Sequence, residues 1–301
     1  MTAPALIILN PAAGGSRAGK KWTAAEQVFR RAGFQFDLET TRGPGDARRL
    51  SKNASENTVE TVVAAGGDGT VSEVASGLLD HGSGSLSCMG ILPLGRGNDV
   101  AAALHIPEEI EHAAAVITRE DARPIDAGTA NGRYFINNVG IGLEARANRI
   151  SGRLPISGPS AYLAAALATL LLPKTWDVTM QWEGGSYQGL VTLVSILNGR
   201  RVGGMFHLAP EADLSDGLLD VVFGHAASRV DMLKILCTFL RPSGKDKGNG
   251  SGVRRLRVRN LRISSQQPLP VHLDGDLLSS RSPALECAAL PSALSIIAPP
   301  V

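Results

Sequence analysis

The sequence predicts an α/β fold in which a parallel-sheet domain is followed by a second domain rich in β-strands. Three observations carry this. From Ala5 to Arg119, short apolar runs alternate with stretches of helical periodicity. Three of those runs end in glycine-rich turns, around Gly14, Gly66 and Gly95. Near Arg123 the rhythm changes to strand-like runs separated by turn signals. Strands alternating with helices favour a parallel sheet, whose loops at the strands' carboxyl ends converge on one crevice. With 301 residues, 44% of them hydrophobic, the chain can bury a sizeable core and is long enough for two domains.

In order, Ala5 to Leu9 reads as a buried strand that ends in the loop Asn10 to Ser16, and Trp22 to Arg31 has helical character. Phe34, Phe36 and Leu38 alternate with polar residues as a strand does, and the turn Thr40 to Asp46 leads into a helix over Ala47 to Ala54. Next come the apolar run Val62 to Ala65, the turn Gly66 to Thr70, and helical spacing through Val71, Val74, Ala75 and Leu78. Cys88 to Leu92 forms another strand, and Pro93 to Asp99 a third glycine loop, before Val100 to Leu104 and a helix over Pro107 to Arg119. Pro124 to Ala130, the turn Asn131-Gly132, and Arg133 to Val139 read as a hairpin. Trp176 to Trp182 and Leu190 to Leu197 are strand-like, with helices expected over Ala161 to Leu172 and Arg229 to Leu240. A polar loop follows from Pro242 to Gly252, and a last apolar run spans Ala293 to Ala298.

The turn Gly66-Gly67-Asp68-Gly69-Thr70 organises the chain. Glycines there let the backbone approach a ligand closely, and the helix start behind them presents unpaired N–H groups and a positive dipole end. Such a turn suits a phosphate. An acid beside phosphate-seeking amides would repel that ligand unless a divalent metal or an acidic proton sits between them, so Asp68 points to metal-assisted phosphoryl chemistry. The turn lacks the Lys-Ser/Thr ending of a P-loop and the GxGxxG spacing of a dinucleotide fold.

Composition narrows the classes further. A net charge of +2 and 4% aromatic residues argue against nucleic acid as a partner. Cys88, Cys237 and Cys287 are far apart and without metal spacing, so buried reduced thiols are expected, which fits a cytosolic protein. Met1 to Pro11 has no signal-peptide pattern, and the uncharged segment Ala161 to Leu172 is too short to span a bilayer. His81, His105, His112, His207, His225 and His272 show no ligand spacing, although His272 adjoins Asp274.

Asn10-Pro11-x-x-Gly14, Gly66-Gly67-Asp68-Gly69-Thr70 and Pro93-Leu94-Gly95-x-Gly97-Asn98-Asp99, in that order, resemble the motifs of the diacylglycerol kinase catalytic family, which includes bacterial lipid kinases, ceramide kinases and sphingosine kinases. The resemblance continues through Asn137 to Gly142, Asn198-Gly199 with Gly203-Gly204, Ala209-Pro210, Leu214 to Asp220, and Leu273-Asp274-Gly275-Asp276. It implies an N-terminal Rossmann-like domain of the NAD kinase/diacylglycerol kinase type over 1–123, completed by 285–301, and a C-terminal β-sandwich over 124–284. ATP and the lipid hydroxyl would meet in the cleft between them. Carried over by motif, Asn10, Pro11, Ala12, Ala13, Gly14, Thr41, Gly66, Gly67, Asp68, Gly69, Thr70, Val71, Ser72, Arg96, Asn98 and Asp99 would line the nucleotide. The family often has Thr or Ser where this chain has Arg96, which makes a cationic grip on phosphate an alternative to the usual contact there.

Phosphoryl transfer to an alcohol asks for positioning, charge neutralisation and a carboxylate that accepts the hydroxyl proton. By resemblance, Asp274 or Asp276 is expected to be that base, with Asp68 placing Mg²⁺ and phosphate. Asp213, Asp216 and the Leu218 carbonyl would hold a structural Mg²⁺, as hard oxygen donors do. Arg254, Arg255, Arg257, Arg259 and Arg262 read either as a solvated strand face or as a contact for anionic headgroups. The expectation is therefore an ATP- and Mg²⁺-dependent lipid kinase, phosphorylating diacylglycerol to phosphatidic acid from the cytoplasmic face of the membrane. The rivals are a soluble NAD kinase-like phosphotransferase and a non-catalytic nucleotide or lipid sensor.

Overall fold

The computed structural model describes residues 5–15, 18–80, 87–156, 158–242, 252–278 and 284–300. Ser16, His81 and most of the expected polar loop, 243–251, lie outside the described residues. The chain divides into two compact units, Met1–Asp126 with Ser292–Val301, and Ala127–Pro291.

The first unit runs β1 (Ala5–Leu9), α1 (Ala18–Arg31), β2 (Phe36–Thr40), α2 (Asp46–Glu56), β3 (Thr61–Gly66), α3 (Asp68–Leu79), β4 (Cys88–Pro93), α4 (Asp99–Ala103) and α5 (Ile110–Ile117). All pairings are parallel, in the order β2-β1-β3-β4. Helices cover both faces, with α1 packed on α5 and α2 on α3. That is why β3 is buried at every position and reads as a continuous apolar run rather than an alternating one. Because β2 and β3 flank β1 on opposite sides, the connections after β1 and β3 diverge, and α/β sheets hold ligands at such a switch point.

The second unit begins within β5 (Ala122–Ala130) and continues through β6 (Arg133–Phe135), β7 (Asn138–Gly142), α6 (Leu143–Ser151), α7 (Pro159–Thr169), β8 (Trp176–Trp182), β9 (Gly185–Val191), β10 (Leu193–Leu197), β11 (Leu219–Gly224), α8 (Arg229–Phe239), β12 (Val253–Val258), β13 (Asn260–Ser264), β14 (Val271–Leu273), β15 (Asp276–Leu278) and β16 (Ala284–Ile297). One sheet, β12-β11-β10-β7-β14-β15, is antiparallel throughout. Facing it are β16, β13, β8 and β9 with the β5–β6 hairpin. Val139, Ile141, Val194 and Ile196 of the first sheet share a core with Trp176, Met180, Ile263 and Leu285 of the second, which makes the unit a β-sandwich. The other face of the six-stranded sheet is also covered. Leu193, Leu197 and Val222 pack there on α6, α7 and α8 through Ala147, Ala165, Leu236 and Phe239. The end of β16 pairs in parallel with β4, at Ser295↔Cys88 and Ile296↔Met89, within the first unit.

Three expectations need correction. The hairpin turns at Asn131 and Gly132, both with positive φ, but its second strand ends at Phe135 and not Val139. The amides of Ile136, Asn137 and Asn138 are taken by the Asp274 carboxylate instead, and β7 starts afresh in the other sheet. The run Leu190 to Leu197 breaks at Thr192 into the end of β9 and β10. Of the cysteines, all free, only Cys287 is buried, where burial pushes its thiol up to about 12; Cys88 is partly buried and Cys237 is exposed on α8.

Candidate active site

In the first unit the loops after β1, β3 and β4 come together because glycines let their backbones touch. A Cβ on Gly95 would overlap Gly67, and one on Gly14, whose φ is +63°, would overlap the Leu94 carbonyl. The Leu94 and Gly95 amides both donate to the Gly66 carbonyl, at 2.9 and 3.2 Å. Asn10 ties the first loop to α3: its side-chain oxygen accepts from the Ala12 amide at 3.0 Å, and its Nδ2 donates to Thr70 Oγ1 at 3.0 Å.

Asp68 opens α3, and its carboxylate accepts the Asn98 amide at 2.7 Å and the Asp99 amide at 2.6 Å. It thereby fixes the third loop, whose Asn98 sits in the left-handed region at φ +50°. Arg96 is exposed, and a Cβ on Gly15 would overlap its guanidinium, so a cation spans the first and third loops. The Thr41 amide donates to the Leu9 carbonyl at the end of β1. Of the other residues expected at the nucleotide, Pro11, Ala12 and Gly69 are exposed and Ser72 half-buried, while Ala13, Thr70, Val71 and Asp99 are buried. The positive end of α3 and the exposed Arg96 beside it suit an anionic ligand.

In the second unit Asp274 occupies the left-handed region at φ +45° in the turn between β14 and β15. Its carboxylate accepts three successive amides, those of Ile136 (2.8 Å), Asn137 (2.9 Å) and Asn138 (2.8 Å). Asp276, two residues on, is exposed, and its carboxylate takes part in no hydrogen bond among the described residues. The two acids thus differ in kind: one organises a loop, the other has its lone pairs open.

Behind the turn lies a buried polar network that sequence reasoning missed. Glu144, at the start of α6, is buried and its carboxylate accepts from Asn138 Nδ2 and Ser195 Oγ, with His272 Nε2 at 3.2 Å. The Gly275 amide donates to His272 Nδ1 at 3.2 Å, which leaves Nε2 to carry the hydrogen toward Glu144. Asn148 Nδ2, from the same helix, donates to the Gly275 carbonyl. His272 and α6 therefore grip the Asp274-Gly275-Asp276 turn from below. The only signal in sequence was an acid two residues after the glycine of Asn137 to Gly142. Glu144 and Ser195 also line an otherwise apolar pocket with Leu143, Tyr162, Phe206 and Phe239.

In the expected metal turn, Asp213 Oδ1 accepts from the Ser215 amide and hydroxyl, and Asp216 Oδ1 from the Leu218 amide. Arg257 lies 3.8 Å from Asp216 and 3.3 Å from Asp220. Burial pushes the Asp220 carboxyl up, Arg257 opposes this, and the charges of Asp216 and Glu211 add to the rise. The turn sets Asp216 and Asp220 beside one arginine, with Asp213 nearby in sequence, a set of oxygen donors that fits a divalent cation. Among the described residues no three Asp, Glu, His or Cys side chains are arranged to hold a metal.

The arginine stretch forms β12 and β13, and most of its guanidinium groups have partners within the protein. Arg254 lies 5.4 Å from the Tyr187 ring, Arg255 donates to the Leu208 carbonyl, Arg257 to the Glu211 carbonyl, and Arg262 pairs with Glu286 at 3.1 Å.

The family model for the diacylglycerol kinase catalytic domain matches residues 4–130, and that for the YegS C-terminal NAD kinase beta sandwich-like domain matches 137–298. The chain is 31% identical over 280 residues to the diacylglycerol kinase of Bacillus subtilis, covering 90% of this chain and 89% of that protein. It is 36% identical over 292 residues to a Pseudomonas aeruginosa protein named "Probable lipid kinase YegS-like", covering 95% and 92%. The solved structure of a diacylglycerol kinase from Bacillus anthracis shares the fold, with a TM-score of 0.77 at 24% identity over 99% of this chain and 97% of that one. With both family models matched in sequence along nearly its whole length, the chain belongs to the lipid kinase family of the diacylglycerol kinases and YegS-like proteins.

Proposed function

We propose that the chain transfers the γ-phosphate of ATP to the hydroxyl of diacylglycerol, giving phosphatidic acid, in a Mg²⁺-dependent reaction. The observation that carries this reading is the contrast between two amide-bound acids, Asp68 and Asp274, and the open acid Asp276. The positive end of α3, with Arg96, holds the phosphates. Asp68 keeps the Asn98 and Asp99 amides in place and would place Mg²⁺ and phosphate. Mg²⁺, when bound there, neutralises phosphate charge. As the lipid hydroxyl oxygen bonds to the γ-phosphorus, its proton passes to Asp276, and the bond to the departing ADP oxygen breaks. Asp213, Asp216 and the Leu218 carbonyl would hold a structural Mg²⁺.

The test is labelled ATP with a panel of lipids in mixed micelles and NAD as control. Label in phosphatidic acid supports the reading. Label in NADP instead would mark a phosphotransferase of the NAD kinase type, and nucleotide binding with no transfer to any acceptor would mark a sensor.

A further inference from the structure

The substrate of the proposed reaction stays in a bilayer, and among the described residues no helix is long and apolar enough to cross one. Some surface must bring the protein to the lipid, and among the described residues the basic strands β12 and β13 carry no large exposed hydrophobic side chain.

We propose that the exposed apolar faces of α7 and α8 dock the protein on an anionic bilayer, an inference that rests on the lipid-substrate reading above. Nine large hydrophobic side chains are exposed among the described residues, and six of them, Ile156, Leu167, Leu171, Leu172, Val230 and Leu233, belong to these two helices and the segments flanking α7. No residue from Pro159 to Pro173 is charged. Helix α7 buries Ala161, Ala165 and Ala166 against the core beneath it. Its outer face, at Ala164 and Leu167, is apolar as well, and Leu171 and Leu172 beyond it are 67% and 73% exposed. A helix facing water normally turns polar residues outward. Helix α8 repeats the pattern: Met232, Ile235 and Leu236 face inward, while Val230, Leu233 and Cys237, at i, i+3 and i+7, face outward. The two are joined where Arg229 Nη2 donates to the Leu171 carbonyl at 3.1 Å.

Charge identifies the occupant. Lys174, Arg229, Lys234 and Arg241 flank the leucines along the sequence, where Asp231, held by Ser228 and Lys234, is the one acid within residues 159–174 and 229–241. A second copy docking through the same patch in a two-fold dimer would set these cations against themselves. A bilayer with anionic headgroups meets both features, burying the apolar side chains at the acyl boundary and attracting the cations above it.

The test uses the full chain without nucleotide, sedimented with vesicles of phosphatidylcholine alone or mixed with phosphatidylglycerol. The variants are Leu171→Gln with Leu172→Gln, and Lys174→Gln with Lys234→Gln. All these side chains are exposed, so melting temperatures should match wild type. The leucine variant should lose binding to mixed vesicles by at least about tenfold, as two apolar anchors are removed. The lysine variant should lose about tenfold or more on mixed vesicles and nothing on phosphatidylcholine alone. Wild type that fails to sediment with mixed vesicles, or a leucine variant that binds as wild type does, overturns the proposal. So does a wild-type dimer that the leucine variant splits while vesicle binding is unchanged, since the face would then be an interface between copies. The two readings fail separately. A protein that binds vesicles through these leucines but phosphorylates no lipid defeats the substrate assignment, whereas turnover on a short-chain diacylglycerol with leucine-independent vesicle binding defeats the docking surface alone.

Discussion

Asp68 and Asp274 use one device in two different settings. Each carboxylate gathers successive backbone amides from a distant loop: Asn98 and Asp99 in the first unit, Ile136, Asn137 and Asn138 in the second. Around Asp68 the loops meet largely through backbone, drawn together by missing Cβ atoms at Gly14, Gly67 and Gly95, with the Asn10 and Arg96 side chains as ties. Around Asp274 the support comes from side chains, with Glu144 and His272 buried beneath the turn. A site made of backbone tolerates many neighbours but few changes at its glycines. A site made of buried polar side chains depends on each hydrogen bond being made, because an unpaired buried group is costly.

Three substitutions and a titration sharpen that comparison, in order of expected effect. Asp68→Asn should lower phosphate transfer on the order of a thousandfold, through lost placement of the phosphoryl group. It should also cost about 1–2 kcal/mol, because an Asn side chain can accept only one of the two amides without setting its own N–H₂ against the other. Normal turnover in the variant would remove Asp68 from the mechanism. Glu144→Gln should cost about 1–3 kcal/mol by turning an acceptor for three donors into a mismatched amide. Denaturant unfolding measures this, and loss of transfer at a temperature where the variant is still folded would show that the turn above it has moved. Asp216→Ala should leave a protein whose melting temperature no longer rises with added Mg²⁺, whereas that of wild type does, because a bound ion stabilises according to its occupancy. An equal rise in both would place the ion elsewhere.

The smallest effect concerns His207, whose titration is held below its ordinary value of 6.5 by burial and, to a lesser extent, by the charge of Arg201. The unfolded chain then binds the proton more readily than the folded one. The resulting stability is present above pH 6.5 and is lost as pH falls through the lower, folded value. His207→Gln should therefore flatten the melting temperature against pH below 6.5. An unchanged slope would assign the acid sensitivity to other groups.

How much was legible in the sequence follows the same division. The Gly66 to Thr70 turn could be read because strand, glycine and helix signals are contiguous, and because β3, covered on both faces, is a pure apolar run. The parallel order of the first unit followed from that alternation. The hairpin end at Phe135 could not be read, because what stops it is a carboxylate 138 residues beyond Ile136. Helix α6 was missed for a related reason: Leu143 to Ser151 follows a glycine motif directly, and its Glu144 serves a network with Ser195 and His272 that only the sheet assembles. The division of labour between Asp274 and Asp276 was invisible for the same cause, since nothing within Leu273-Asp274-Gly275-Asp276 says which acid meets the amides of the β6–β7 connection.

That division is the most direct test of the account. Single-turnover transfer of labelled γ-phosphate to diacylglycerol in mixed micelles should be measured for wild type, Asp274→Asn and Asp276→Asn, alongside their melting temperatures. The account predicts that Asp276→Asn melts as wild type does and transfers phosphate about a thousandfold more slowly, as loss of a proton acceptor implies. Asp274→Asn should lose stability as well, because one or more of the three amides would be left unpaired. Rapid labelling of phosphatidic acid by Asp276→Asn, or no labelled lipid from wild type, would contradict it.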